Sequence, residues 1–185
     1  MTEEKFVVLR DRAEKNGESA LTVDETKELE PYKVDNAIIM AAGYSARCMP
    51  LSNVLPKGLF KVKGEVLIER EIRQLKEAGV KEIVVVTGFM SEKFQYLKEK
   101  YGVLLVHNED YDKYNNMASL YVAQEYMKNS YILCSDNYYV DNVFHSYVYS
   151  PYYSCVYSES YCDEFCVLEE DAEGFITNIH RGGAK

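Results

Sequence analysis

Gly43, Arg47 and Lys57 stand close together behind an apolar run, and their types suit one task, gripping phosphate oxygens. Ala41, Ala42 and Gly43 carry little or no side chain, so backbone N–H groups there can approach an anion closely. Arg47 follows four residues after Gly43 and can clamp β- and γ-phosphates. Pro56-Lys57-Gly58 supplies a second cation, with Pro56 fixing the local backbone. The segment is neither a Walker loop nor a G-x-G-x-x-G fingerprint. Each piece alone reads as a small-residue turn or a solvated cation. Their order behind a buried strand favours a nucleoside triphosphate site.

The elements that must position these residues follow from periodicity. Ala37–Met40 is a short apolar run that suits a buried parallel strand. Val66–Ala78 has helical spacing and stops at Gly79. Glu82–Thr87 is a second buried strand ending at Gly88. Ser91–Tyr101 reads as a helix with Ser91 as N-cap and Gly102 as its stop. Val103–Val106 is a third strand, Met117–Met127 a helix, and Tyr131–Cys134 a fourth strand leading into Ser135-Asp136-Asn137. Alternating strands and helices give a Rossmann-like α/β fold, a mostly parallel sheet with helices on both faces. Ligands in such sheets bind at the carboxyl ends of the strands, where the Ala41–Lys57 loop sits. Past Pro151, Tyr153–Tyr157, Phe165–Glu169 and Phe175–His180 read as strands of an antiparallel C-terminal extension.

Residues 1–33 are charged and sparse in apolar positions. They read as a helical N-terminal appendage, with helical pieces around Glu3–Lys15 and Val23–Leu29. Thr22 and Glu25 would form a capping box for the second. Residues 34–185 form the main domain. A net charge of -9 argues against a general nucleic-acid binder, so local cations or a bound metal must hold a polyanion. No apolar run is long enough to span a membrane, and MTEEKF lacks the apolar core of a signal peptide, so the expected setting is cytoplasmic, away from membranes. The five Cys include no CxxC pair, which favours reduced thiols over a zinc site. Seventeen Tyr and no Trp read as amphipathic surface and core edge, with an aromatic wall for a base or quaternary ammonium as the sharper alternative.

The stretch AIIMAAGYSARCMPLSNVLPKGLFKVKGEVLIEREIRQLKEAGVKEIVVVTGFM resembles the nucleotidyltransferases that activate sugars and alcohol phosphates. Within them, YLKEKYGVLLVHNEDYDKYNNMASLYVAQ and YILCSDNYYVDNVF are similar to the bacterial CTP:phosphocholine and 2-aminoethylphosphonate cytidylyltransferase branch. The likeness runs from about Asn36 onward. One departure is Ser45, where the commoner Gly-x-Gly loop has its second glycine. The resemblance implies that Ala41, Ala42 and Gly43 line the nucleotide, that Arg47 binds the outgoing pyrophosphate, and that Lys57 bridges the α-phosphate. Asp136 matches the family's metal-binding acid, and Asn108, Asn116 and Ser119 fall where the branch approaches the nucleotide. Glu164 and Phe165 align with an acid and an aromatic on the acceptor side, with Tyr152, Tyr153 and Tyr161 nearby. Members of the branch continue past the point matching Lys185, through further strands, part of the acceptor pocket and a second metal-binding acid. The domain is therefore expected to be incomplete at its C-terminus.

What this implies chemically is attack of a phosphate or phosphonate oxygen on the α-phosphorus of CTP, with Mg²⁺ on Asp136 and release of pyrophosphate. Phosphocholine ranks ahead of 2-aminoethylphosphonate as acceptor. A sugar-1-phosphate nucleotidyltransferase and a non-catalytic nucleotide-binding fragment are the alternatives.

Overall fold

A computed structural model describes residues 1–155 and 166–181. Two compact units divide the chain, Met1–Ser150 and Pro151–Lys185.

The first unit opens with two helices, α1 (Glu3–Asn16) and α2 (Val23–Leu29). Thr22 accepts from the Glu25 N–H while the Glu25 side chain accepts from Thr22, so the expected capping box is present. Phe6, Leu9, Ala13 and Leu29 are buried together with Tyr147 from the far end of the unit. Polar contacts reinforce that packing. Tyr147 Oη donates to Glu18 (2.7 Å), and the Ser146 N–H donates to Glu14 (2.9 Å).

Strand β1 (Asn36–Ala41) follows, then a short antiparallel pair, β2 (Lys61–Val62) and β3 (Glu65–Val66). Lys63 and Gly64 between them both have positive φ (50° and 88°), the geometry of a tight hairpin turn. Next come α3 (Leu67–Glu77), β4 (Glu82–Thr87), α4 (Tyr96–Tyr101), β5 (Leu104–His107), α5 (Asn116–Val122) and β6 (Ser130–Cys134). The main sheet has the order β5-β4-β1-β6, and every pair in it is parallel. Buried Asn36 ties its lower edge together, donating to Glu82 (3.0 Å) and to the Tyr126 carbonyl (2.7 Å).

Both faces of the central strands β1 and β4 are covered, as the alternation of elements predicts, while Leu104 of β5 and Ile132 of β6 stay exposed at the sheet edges. Ile39, Ile83 and Val85 pack with Ile68, Ile72 and Leu75 of α3 and with Leu97 of α4. Ile38, Val84 and Val86 pack on the other side with Ala123, Val122 and Tyr126. Each fully buried side chain of this kind contributes about 1.5–3 kcal/mol of hydrophobic stabilisation before entropy is counted.

Some expectations change. Ser91 is not an N-cap. Met90 takes a left-handed conformation (φ 50°), a 3₁₀ turn covers Ser91–Phe94, and the α-helix starts at Tyr96. Gly102 ends α4 in the left-handed region (φ 66°), with its N–H on the Lys98 carbonyl, as its position suggested. The helix expected over Met117–Met127 divides into α5 and a 3₁₀ turn at Gln124–Tyr126. In the second unit, residues 153–155 are not strand, and 156–157 lie outside the described residues. Two strands are described there, β7 (Cys166–Glu170) and β8 (Ile176–Arg181), paired antiparallel to each other. No helix of the described residues is long and apolar enough to cross a membrane.

Candidate nucleotide site

The chain passes from β1 to β4 and β5 on one side of β1, then returns to β6 on the other. The switch point, where open parallel sheets hold ligands, therefore falls beyond the carboxyl ends of β1 and β6. The loop after β1 and the turn after β6 meet there.

Ala41 and Ala42 are buried, and the Ala42 carbonyl accepts the Phe89 N–H (3.0 Å), tying the start of the loop to the end of β4. Gly43 emerges exposed, with nothing within 4 Å of where a Cβ would stand. Ser45 has φ 54°, in the left-handed region. That explains why a glycine suits this position, since glycine adopts such a φ without a Cβ clash. A 3₁₀ turn at Ala46–Cys48 then carries the exposed Arg47.

Lys57 opens a further 3₁₀ turn, Lys57–Leu59, whose Leu59 is anchored in the core. Its Nζ donates to Oδ2 of Asp136, which directly follows Ser135 at the end of β6. Both side chains remain about a third exposed (38% and 32%), so the pair is open to solvent and can be reached by a ligand. Asp136 raises the Lys57 pKa, against a burial effect that lowers it and a smaller lowering by the Arg47 charge. Arg47 and Lys57 thus act on one electrostatic site, and Lys57 stays a cation at neutral pH.

Beneath the pair lies Glu71 of α3, fully buried, with both carboxyl oxygens lacking a hydrogen bond. Burial first, and then the Asp136 charge, pushes its pKa up to about 9. The Asn137 amide opposes this rise but is itself bonded to the Cys134 carbonyl (3.3 Å). Cys134 is shifted upward as well, by burial and then by Asp136 and Glu71. Helix α3 also grips the chain after Asp136. Arg70 donates to the carbonyls of Tyr139 (2.9 Å) and Val140 (2.6 Å) and lies over the Tyr138 ring, and Gln74 Nε2 reaches the same Tyr139 carbonyl (3.2 Å).

Asn108 and Ser119 form a separate cluster at the β5 edge of the sheet. Asn108 Nδ2 donates to Ser119 Oγ (3.2 Å) and both are buried, while Asn108 Oδ1 accepts the Asp110 N–H (3.0 Å). Asn116 is exposed at the first turn of α5, where Asn115 is the cap. An open groove of about 660 Å³ adjoins them, walled by Asn108, Tyr114, Met117 and Tyr121. A smaller hollow of about 370 Å³ lies by the β2–β3 turn, where three lining cations are engaged, Arg70 and Arg73 by Glu65 and Lys100 by Glu69. Asn108 and Asp136 follow strands at opposite edges of the sheet, three strand spacings or about 14 Å apart.

Of the residues singled out from the sequence, Lys57, Asp136 and Arg47 converge, the Ala41–Gly43 backbone adjoins them, and Asn108 pairs with Ser119. Glu164, Phe165 and Tyr161 lie outside the described residues. Tyr152 and Tyr153 are exposed in the second unit. Three contributors escaped the sequence. Glu71 was detectable as a charge on the apolar stripe of Ile68, Ile72 and Leu75. Gly58 matters through contact with Ser135. Tyr111 packs on Gly88, where a Cβ would lie 2.5 Å from the Tyr111 Cβ and 2.8 Å from the Ala42 carbonyl. Tyr44 and Phe89 extend this aromatic flank, with ring centroids 4.5 Å apart.

The choline-phosphate cytidylyltransferase of Streptococcus pneumoniae is 42% identical over 135 residues, 73% of this chain and 59% of that protein. The 2-aminoethylphosphonate cytidylyltransferase of Lancefieldella rimae is 36% identical over 152 residues, 80% of this chain and 62% of that protein. The solved structure of the Streptococcus pneumoniae CTP:phosphocholine cytidylyltransferase (LicC) matches with a TM-score of 0.76 at 40% identity, covering 80% of this chain and 64% of that one. The chain thus spans about three-fifths of the length of these relatives. Residues 37–150, from the first residues of β1 through the Asp136 turn, match the MobA-like NTP transferase domain, and the chain belongs to that family.

Proposed function

We propose that this chain is the nucleotide-binding part of a cytidylyltransferase that transfers CMP from CTP to phosphocholine and releases pyrophosphate. The observation that carries the reading is the Lys57–Asp136 pair at the β1/β6 switch point, beside the small-residue loop. Two relatives named as cytidylyltransferases, at 42% and 36% identity, support CTP as donor.

The acceptor oxygen bonds to the α-phosphorus as the α–β bridging bond breaks, and the electron pair leaves with pyrophosphate. That oxygen is already anionic near neutral pH, so no base is required. Catalysis rests on positioning and charge neutralisation. Lys57, held protonated by Asp136, suits the α-phosphate, where charge accumulates. Arg47, from its exposed turn, suits the departing β- and γ-phosphates. The backbone at Ala41–Gly43 gives the triphosphate a surface free of side chains, and Asn108, Asn116 and Ser119 serve the nucleoside end.

Asp136 would hold Mg²⁺, which would neutralise the phosphate oxygens. Among the described residues no group of three or more His, Cys, Asp or Glu converges, and one carboxylate with phosphate and water oxygens suits Mg²⁺. Glu164 and Phe165 would face the choline head, with a cation–π contribution from the ring. Residues 1–33 are the helical N-terminal part and 34–185 the nucleotidyltransferase domain, working in the cytoplasm without nucleic acid.

Pyrophosphate release measured with CTP, Mg²⁺ and phosphocholine, against 2-aminoethylphosphonate and against UTP or dTTP, tests the reading. CTP-dependent release with phosphocholine supports it. Preference for 2-aminoethylphosphonate changes the acceptor, and use of UTP or dTTP in place of CTP removes the cytidylyl assignment.

A further inference from the structure

The turn bearing Lys57 crosses the end of β6 at a single tight point. A Cβ built on Gly58 would lie 2.7 Å from Ser135 Oγ, 2.8 Å from Ser135 Cβ and 3.2 Å from the Ser135 carbonyl oxygen. Gly58 is not among the glycines with positive φ, so the backbone conformation does not demand glycine here. Contact with Ser135 does.

Neither side can retreat easily. Ser135 is 7% exposed, and its N–H continues the β1–β6 ladder by bonding to the Met40 carbonyl (3.1 Å). Gly58 sits in a turn closed by the Leu59 N–H on the Pro56 carbonyl (2.9 Å) and the Phe60 N–H on the Lys57 carbonyl (3.0 Å). Leu59, next in the chain, is part of the core. The neighbours of this contact are the charged pair itself. Lys57 precedes Gly58, and Asp136 follows Ser135.

We infer that Gly58 and Ser135 are positioning residues, a size-matched pair whose close approach sets the separation of Lys57 and Asp136. The inference deepens the nucleotide-site reading and rests on it for its functional meaning. A mere packing role would cost stability when disturbed but would leave Lys57 on Asp136. A positioning role moves the two together and is repaired from the other side of the contact.

The test compares the full chain with Gly58→Ala and with the double variant Gly58→Ala/Ser135→Gly, which removes the two nearest of the three contacts. Crystal structures give the Lys57–Asp136 separation, and calorimetry gives the affinity for Mg·CTP. In Gly58→Ala, Lys57 Nζ is expected beyond salt-bridge distance from Asp136 and Mg·CTP about tenfold weaker, the loss of one charge-assisted contact. In the double variant both return toward the parent. An intact Lys57–Asp136 pair in Gly58→Ala, or a double variant no better than the single, overturns the inference. If Gly58→Ala yields no folded protein, recovery of folded protein by Ser135→Gly supports the pairing and failure to recover it overturns it. If the parent chain binds no CTP, the cytidylyltransferase reading fails, while the Lys57–Asp136 separations still decide the positioning claim.

Discussion

The two sides of the candidate site are built differently. The acid side is held from several directions. Ser135 is locked to Met40, the segment after Asp136 is gripped by Arg70 and Gln74, and Gly58 presses on Ser135. The loop side, from Gly43 to Val54, is largely exposed apart from buried Ser52 and contains short 3₁₀ turns, with Tyr44, Met49, Leu51 and Val54 open to solvent. The difference teaches where each kind of constraint is needed. Under the proposed function, charges that meet a transition state must stand at fixed separation, while a loop that admits a triphosphate must leave room.

Substitutions on the two sides therefore separate into different observables. The largest effect belongs to Lys57→Ala, which is expected to lower CTP-dependent pyrophosphate release at least about 100-fold, as loss of a transition-state charge partner does. Release that survives the change would place the chemistry elsewhere.

Glu71→Gln tests the buried foundation of the acid side. Below pH 4.5 the Glu71 carboxyl is protonated in folded and unfolded chains alike and contributes no pH dependence. Above that, the unfolded chain releases the proton and the folded one keeps it, so stability falls with rising pH until about 9. Glutamine removes this penalty. The variant should gain stability over the parent increasingly from pH 5 to 8.5, by about 3 kcal/mol at pH 7. Urea unfolding at several pH values measures it, and a difference that does not change with pH would show that the carboxyl is ionised or solvated in the fold.

On the open side, Arg47→Ala should weaken Mg·CTP about tenfold by calorimetry and lower the melting temperature only slightly, as the loss of an exposed charge contact does. A marked drop in melting temperature would mean that the loop is as fixed as the acid side. The smallest effect is Ser45→Gly, which relieves a left-handed serine and should stabilise by up to about 1 kcal/mol in thermal unfolding. Clear destabilisation would indicate that the serine side chain supports the loop.

The sheet was legible because its strands are apolar runs, Ala37–Met40 and Ile83–Val86 among them, and α3 because Ile68, Ile72 and Leu75 repeat at helical spacing. The start of α4 was not, since a serine before a helical pattern looks like a cap even when the preceding methionine makes the turn. The β2–β3 hairpin was missed because Lys63-Gly64 is a weaker turn signal than Asn-Gly. In the site, Lys57 and Asp136 could be named separately from a Pro-Lys-Gly turn and a strand end. Their pairing could not, because 79 positions separate them and only the parallel order β1-β6 joins them. Gly58 was hidden for the same reason, its partner being distant in sequence. The role of residues 1–33 was obscured because Phe6, Leu9 and Leu29 find their partner in Tyr147, near the other end of the unit.

Under the proposed function, the Lys57–Asp136 site takes CTP together with a divalent cation. Calorimetric titration of CTP into the parent chain and into Asp136→Asn, each with and without Mg²⁺, tests it most directly. Mg²⁺ is expected to strengthen CTP binding in the parent, and Asp136→Asn is expected to abolish this increment. An equal Mg²⁺ effect in both proteins would contradict it.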